Sequence, residues 1–299
     1  MNAVMNKLRN ARLGSTFILL ILVAIWSAPT IGLLITALRD RDEAAASGWW
    51  TAVADPFNQI WSMASFEKAI EGGMLTSLLN TLVISVPATI LPLVIAANAA
   101  YAFTFIEFKG REFLFASLVA LMVLPLQSAL IPVLKAMVWL KKTFGIELVG
   151  NYASAWVVHA AFALPLAIYI LRNFMLTLPP SLIEAARIDG ARNFQIFRLV
   201  NLPLLLVALT PLLVASFAFN FNNFNNIWLL TGGGPAMDGS NVAGATDILI
   251  SYTYKIAFAS GKGNDFGLAS AISIIIFLIV GTISGISFAR SKALREERS

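Results

Sequence analysis

The chain has 299 residues, 58% hydrophobic and 12% charged, with a mean hydropathy of +0.79, whereas soluble domains carry about 25% charged residues; there is too little polar surface to cover a water-soluble globule. The absence of cysteine excludes disulfides, thiolate zinc sites and a cysteine nucleophile, and the single histidine, His159, leaves little imidazole chemistry, so no metal or cofactor is expected. The formal charge of +5 is spread between apolar runs rather than gathered in one basic patch, which argues against nucleic acid and makes the charges reporters of membrane topology.

Six uncharged stretches are long enough for a helix to cross the hydrocarbon core, which takes about 20 residues. They lie between Arg12 and Arg39, Glu71 and Glu107, Glu112 and Lys135, Glu147 and Arg172, Arg198 and Asp238, and Asp265 and Arg290, with interiors of 26, 35, 22, 24, 39 and 24 residues. The second and fifth are longer than a crossing needs and contain Pro87 and Pro92, then Pro203, Pro211 and Pro235, so turns or kinked helix are expected there. The first stretch follows Lys7, Arg9 and Arg12, but its apolar core is too long for a signal peptide and no clean small-residue cleavage site follows; it is expected to be retained.

The segment from 39 to 75 is polar and carries Trp49, Trp50 and Trp61, which suits a membrane interface. Alternate sides of the predicted membrane hold 13 and 8 Lys and Arg, and net charges of +7 and −2. The positive-inside rule therefore places both termini in the cytoplasm, although Lys135, Lys141 and Lys142 vote the other way. Thr231, Gly232, Gly233, Gly234 and Pro235 form a turn-prone run expected to end the fifth helix.

The predicted cytoplasmic loop from 172 to 201 is longer than a simple connection and reads as helix, turn, helix. Pro179 and Pro180 stop the preceding helix, Ser181 with Glu184 fits a capping box, Gly190 suits a left-handed turn, and Phe194, Phe197 and Leu199 continue an apolar face. Within it stand Glu184, Ala185, Ala186, Arg187, Ile188, Asp189, Gly190 and Ala191, closing with Leu202 and Pro203. This run resembles the EAA loop of the membrane subunits of binding-protein-dependent ATP-driven importers.

The resemblance implies an all-α polytopic membrane protein of six transmembrane helices with the type I ABC importer permease fold. It also implies an ATPase-coupling role for Glu184, Ala185, Ala186, Asp189, Gly190 and Ala191, with residues 1–70 as a leading tail, helix and external loop, 71–290 as the permease core and 291–299 as a cytoplasmic tail. The implied partners are a second permease subunit in a heterodimer, two ATP-binding cassette subunits that hydrolyse the ATP, a periplasmic or surface solute-binding protein, and membrane lipid, in a bacterial inner membrane. Leu34–Val53 and Pro125–Pro132 look like the smaller permease of maltose and α-glucoside importers, whereas Ser216–Asn223, Asn226–Pro235 and Ser251–Phe258 are similar to the larger maltose permease.

The fifth stretch places five asparagines between Ser216 and Asn226. At 100° per residue Ser216, Phe219, Asn220 and Asn223 share a stripe about 100° wide, while Phe217, Phe221 and Phe224 gather on a neighbouring face. Amides and a hydroxyl beside one ring suit an uncharged sugar, and equally suit interhelical hydrogen bonds. In the resembling maltose permease the matching four positions contact the sugar, which makes Ser216, Phe219, Asn220 and Asn223 the candidate substrate residues. A Gly and a Tyr of that family site are replaced here by Ala163 and Leu166, which implies either a substrate other than maltose or contacts made mainly by a partner subunit.

His159 reads as a packed neutral histidine, since no acid shares its helix, and the run Gly261, Lys262, Gly263 lacks the spacing of a phosphate-binding loop. The expected function is the translocation path of an ATP-driven importer of an oligosaccharide or glucoside. The alternatives are a self-sufficient secondary transporter or channel, or a permease for another small solute; no Asp, Glu, Lys or Arg stands inside a stretch to support the first of these.

Overall fold

The computed structural model describes residues 2–237, 242–259 and 264–290. The run Gly261, Lys262, Gly263 and the tail 291–299 lie outside the described residues. The elements are helical throughout, and no strand is found among the described residues. In order they are α1 (Asn2–Ala37), α2 (Arg41–Ala46), α3 (Trp49–Ala54), a 3-10 turn (Pro56–Asn58), α4 (Ala64–Glu71), α5 (Met74–Phe105), α6 (Arg111–Leu121), α7 (Leu126–Phe144), α8 (Tyr152–Leu176), α9 (Pro180–Ile188), α10 (Asn193–Ile196), a π turn (Phe197–Asn201), α11 (Leu202–Phe221), α12 (Phe224–Leu230), α13 (Leu249–Tyr254), a second π turn (Lys255–Ala259) and α14 (Phe266–Arg290).

Among the described residues four helices are long and apolar enough to cross a bilayer unbroken: Gly14–Ala37, Met74–Phe105, Tyr152–Leu176 and Phe266–Ser287. The other two expected crossings are interrupted. The third divides into α6 and α7 at Pro125, which has no N–H to donate and disfavours helical backbone in the residue before it. The fifth ends as a helix at Phe221, inside the asparagine run, and resumes as α12, so the Gly-rich turn at Thr231 closes α12 rather than α11. Asparagine favours such breaks because its amide competes for nearby backbone groups. The second stretch, by contrast, is one 32-residue helix despite Pro87 and Pro92.

The chain divides into two compact units. The first holds the chain up to Gly72 together with Thr253–Phe277. No side chain from Gly14 to Trp26 of α1 is buried, as suits a helix facing lipid. The chain then folds over the buried Arg39, whose guanidinium donates to Gln59 Oε1 (3.0 Å), Ser47 Oγ (2.7 Å) and the carbonyls of Ser47 (2.9 Å) and Gly48 (3.3 Å). Gly32 admits Trp49: a Cβ there would lie 2.6 Å from the indole nitrogen. Arg41 pairs with Asp265 at 3.3 Å, and Asp265 Oδ1 accepts from the Leu268 N–H (3.0 Å) at the start of α14.

The second unit holds Gly73–Tyr252 and, among the described residues, 278–290. Its spine is α5 packed on α8. Small side chains at Ala88, Ala96, Ala97 and Ala100 of α5 and Ala155 and Ala160 of α8 are buried, so the two backbones approach closely. Toward the Phe105 end of α5, Tyr101, Ile168, Leu171, Met175, Phe197 and Leu205 form one core; toward the Met74 end Ile84, Ala155, Ile227 and Ile248 form another. Asn80 Nδ2 donates to the Asp247 carbonyl (3.2 Å), and Tyr152 Oη donates to Asn80 Oδ1 (2.7 Å).

Candidate functional site

The 172–201 loop folds as a helix and turn. α9 begins at Pro180 with Pro179 before it and no side-chain cap. The capping box expected of Ser181 and Glu184 is therefore not formed: Ser181 lies inside the first turn, because Pro180 already supplies the preset φ and missing N–H that suit a helix start. The capping interaction falls one helix later, where Gln195 Oε1 accepts from the Arg192 N–H (2.8 Å) at the start of α10.

The other end of α9 is closed as the sequence predicts. Gly190 has φ +81°, the Gly190 N–H donates to the Arg187 carbonyl (3.0 Å) and the Ala191 N–H to the Ala186 carbonyl (2.9 Å). These are the two bonds of a Schellman motif, which satisfies the last carbonyls of a helix and reverses the chain. α10 then runs through the π turn into α11, so the second arm of the loop is the root of a long helix rather than a separate surface piece.

The loop has an outer and an inner face. Glu184, Ala185, Asp189 and Gly190 are exposed, Ala186 and Ala191 half-buried. Ile188 and Phe194 are 86% and 66% exposed. On the inner face Ile183, Ile196 and Phe197 are buried. Phe197 meets the Tyr101 ring edge to face at 5.3 Å, and Tyr101 Oη donates to the Asn193 carbonyl (3.2 Å). Phe197 and Tyr101 share one buried cluster with Ile168, Leu171 and Met175 of α8. Arg172, at the foot of α8, stands 4.0 Å over the Phe115 ring and 3.8 Å from Glu112, tying α6 to the same end.

The four candidate substrate residues are divided by the break in the fifth stretch. Ser216, Phe219 and Asn220 lie on α11, Ser216 half-buried and Phe219 67% exposed. Asn223 has left the helix (ψ 77°), and its Oδ1 accepts from the Asn226 N–H (3.3 Å) as the cap of α12. The 100° stripe therefore holds over Ser216 to Asn220 and does not extend to Asn223. Asn220 is buried, and its Nδ2 donates to Thr89 Oγ1 on α5 at 3.0 Å. Of the three flanking rings, Phe217 and Phe221 pack together at 5.7 Å, while Phe224 stacks on Trp228. Leu166 is 48% exposed on α8 and Ala163 half-buried.

Thr89 belongs to a row of hydroxyls, Ser77, Thr81, Ser85 and Thr89, all buried along one face of α5. Its signal in the sequence is the four-residue spacing of hydroxyl side chains from 77 to 89, not the asparagine run. His159 is buried on α8, with Nδ1 at 2.7 Å from the Ala155 carbonyl, which makes Nδ1 the protonated nitrogen. A separate cavity of about 620 Å³ is lined by residues including Glu147, Asn151, Leu230 and Thr231, and none of the four candidate residues reaches it. Among the described residues no group of three or more His, Asp or Glu side chains is placed to hold a metal.

The comparisons agree with this architecture. The family described as "Binding-protein-dependent transport system inner membrane component" matches residues 4–292. The osmoprotective compounds uptake permease protein GgtD of Synechocystis sp. is 36% identical over 267 residues, covering 88% of this chain and 84% of that protein. The alpha-glucoside transport system permease protein AglG of Rhizobium meliloti is 31% identical, covering 87% and 90%. The maltose/maltodextrin transport system permease protein MalF of Vibrio vulnificus is 38% identical over 77% of this chain, which spans 46% of that longer protein. A crystal structure of a bacterial ABC transporter involved in the import of the acidic polysaccharide alginate contains a chain that superposes with a TM-score of 0.72 at 18% identity, over 94% of this chain and 96% of that one. At that identity the likeness bears on the fold alone.

Proposed function

This chain belongs to the family of binding-protein-dependent transport system inner membrane components, and from that membership we propose that it forms part of the translocation path for an uncharged oligosaccharide or glucoside. It works with a second permease, two ATPase subunits and an external solute-binding protein. Both termini face the cytoplasm, because that side then carries the excess of Lys and Arg. ATP hydrolysis takes place on the partner subunits.

The observation that carries this reading is the construction of the α9 to α10 turn. Its outer face presents Glu184, Ile188 and Phe194, and its inner face is locked to α5 and α8 through Tyr101 and Phe197. Such a part receives a push from outside and passes it to helices that cross the membrane. An ATPase pair that closes on ATP would move Glu184, Ala185, Ala186, Asp189, Gly190 and Ala191 as one body, and with them the root of α11. That motion would present the α11 residues first to one side of the membrane and then to the other.

The choice of a sugar rests on two supports. AglG and MalF are named for alpha-glucoside and for maltose and maltodextrin transport. Ser216, Phe219, Asn220 and Asn223 offer a hydroxyl, a ring and amides without charge, the chemistry that suits vicinal hydroxyls and the apolar face of a pyranose. The test is uptake of radiolabelled maltose, trehalose and sucrose into proteoliposomes holding the chain with its co-purified partners. Uptake of at least one sugar that requires ATP is expected. Uptake by the chain alone without ATP would instead establish a self-sufficient transporter, and ATP-dependent import of none of the three would remove the sugar.

A further inference from the structure

We propose that Thr89 is a positioning residue for the solute path: it fixes the carboxamide of Asn220 so that Oδ1 is left to accept a hydrogen bond from a sugar hydroxyl. The proposal deepens the sugar reading above and rests on it.

Three hydroxyls of the α5 row spend their hydrogens within their own helix. Thr81 Oγ1 donates to the Ser77 carbonyl (2.6 Å), Ser85 Oγ to the Thr81 carbonyl (2.5 Å) and Thr89 Oγ1 to the Ser85 carbonyl (2.8 Å). A hydroxyl has one hydrogen and two lone pairs. Each of these three has committed its hydrogen to its own helix, so toward neighbouring elements it is an acceptor only. The other contacts made to the row follow this polarity. The Leu249 N–H donates to Thr81 Oγ1 at 2.9 Å, and Asn220 Nδ2 donates to Thr89 Oγ1 at 3.0 Å.

An asparagine amide offers a donor end and an acceptor end, and a half-turn about its last torsion exchanges them. Against Thr89 the exchange sets two acceptors face to face unless Thr89 gives up its bond to the Ser85 carbonyl. Thr89 therefore selects one orientation, with the amino group toward α5 and Oδ1 directed elsewhere. That Oδ1 has no hydrogen bond among the described residues, and it is not among the fully buried unpaired atoms, which are Ser77 Oγ, His159 Nε2 and both amide atoms of Asn201. It is an acceptor without a partner among the described residues, one helical position from the exposed ring of Phe219.

The fixed amide gives the site a polarity. Asn220 takes a hydrogen from a solute hydroxyl rather than donating one, so a solute with an ether or fluorine in place of that hydroxyl is rejected. Thr89→Val keeps the shape of the side chain and removes the acceptor, which frees the amide to turn and leaves its amino group unpaired. Thr89→Ser keeps the acceptor.

The experiment measures KM and Vmax for uptake in proteoliposomes, using whichever of maltose, trehalose and sucrose the parent importer takes up fastest. The variants are T89V, T89S, N220A and the T89V N220A double. The expected result is a rise in KM of about tenfold for T89V with Vmax little altered, recovery in T89S, and no further rise when T89V is added to N220A, since the residue acts only through that amide. If T89V raises KM by the same factor in the N220A background, or leaves KM at the parent value while N220A raises it, the positioning role is wrong and the sugar site stands. If N220A itself leaves KM at the parent value, the sugar reading of α11 fails and this proposal with it. Failure of T89V to assemble with its partners where T89S assembles would make Thr89 a structural residue and overturn the proposal.

Discussion

Arg39 holds together a stretch of chain that has little core of its own. Residues 41–71 form only short helices, and the buried guanidinium collects Gln59, Ser47 and the Ser47 and Gly48 carbonyls, all of them neutral acceptors. Hydrogen bonds from a charged group are each worth more than neutral ones, and losing the donor leaves several acceptors unpaired. Arg39→Ala is expected to lower stability by about 3 kcal/mol, read as a fall in thermal unfolding temperature in detergent; an unaltered transition would show that the loop holds without it. Tyr252 supplies a residue-scale test in pH. Burial pushes its phenol above the usual 10.0, the neighbouring Asp247 carboxylate adds to this, and a hydrogen bond from the Gly73 backbone works the other way. A raised pKa means the fold favours the neutral phenol, so this stabilisation is complete below about pH 10 and is lost as the pH climbs past it. Tyr252→Phe should lose less stability than the parent as the pH rises above about 10, measured by thermal unfolding on either side of that pH; an identical alkaline loss would contradict the assignment.

At the scale of elements, the α9 turn gives the cleanest substitution pair. A Cβ at Gly190 would meet nothing within 4 Å, so the position demands glycine for its φ of +81° and not for space. Asparagine tolerates that conformation and valine does not. Gly190→Asn should therefore retain ATP-driven uptake, while Gly190→Val should lose most of it with the protein still inserted; equal activity of the two variants would refute the role of the turn. Glu184 makes no cap, so an effect of Glu184→Gln on uptake without a change in unfolding temperature would point to a partner surface. The turn at Gly190 was legible in sequence because one residue type meets one backbone demand. The start of α9 was not, because Pro179 and Pro180 read as the stop of the preceding helix, whereas Pro180 is itself the first residue of α9. The break at Phe221 was hidden for a related reason. A wheel assumes unbroken helix, and the asparagines that looked like one face are the residues best suited to ending it. Thr89 was missed because its importance lies in what faces it from α11, a long-range pairing that periodicity within α5 does not contain.

At the scale of the whole molecule, composition and the spacing of charges were enough to identify a helical membrane protein, and one motif was enough to identify the family, since hydropathy and a turn with fixed spacing are local properties. The count of crossings was less legible. Charge gaps mark where a chain can cross, but Pro125 and the Asn222–Asn223 break decide whether it does so as one helix. The proposed function requires that this chain be powered by another subunit through the α9 turn. It is tested most directly by mild-detergent affinity purification of the tagged chain from its native membrane, beside a variant carrying Glu184→Lys and Gly190→Val, with partners identified by mass spectrometry. Recovery of an ATP-binding cassette subunit with the parent chain and its loss from the inserted variant is the predicted result. Recovery of the chain alone, or equal recovery of the ATPase with both forms, would contradict it.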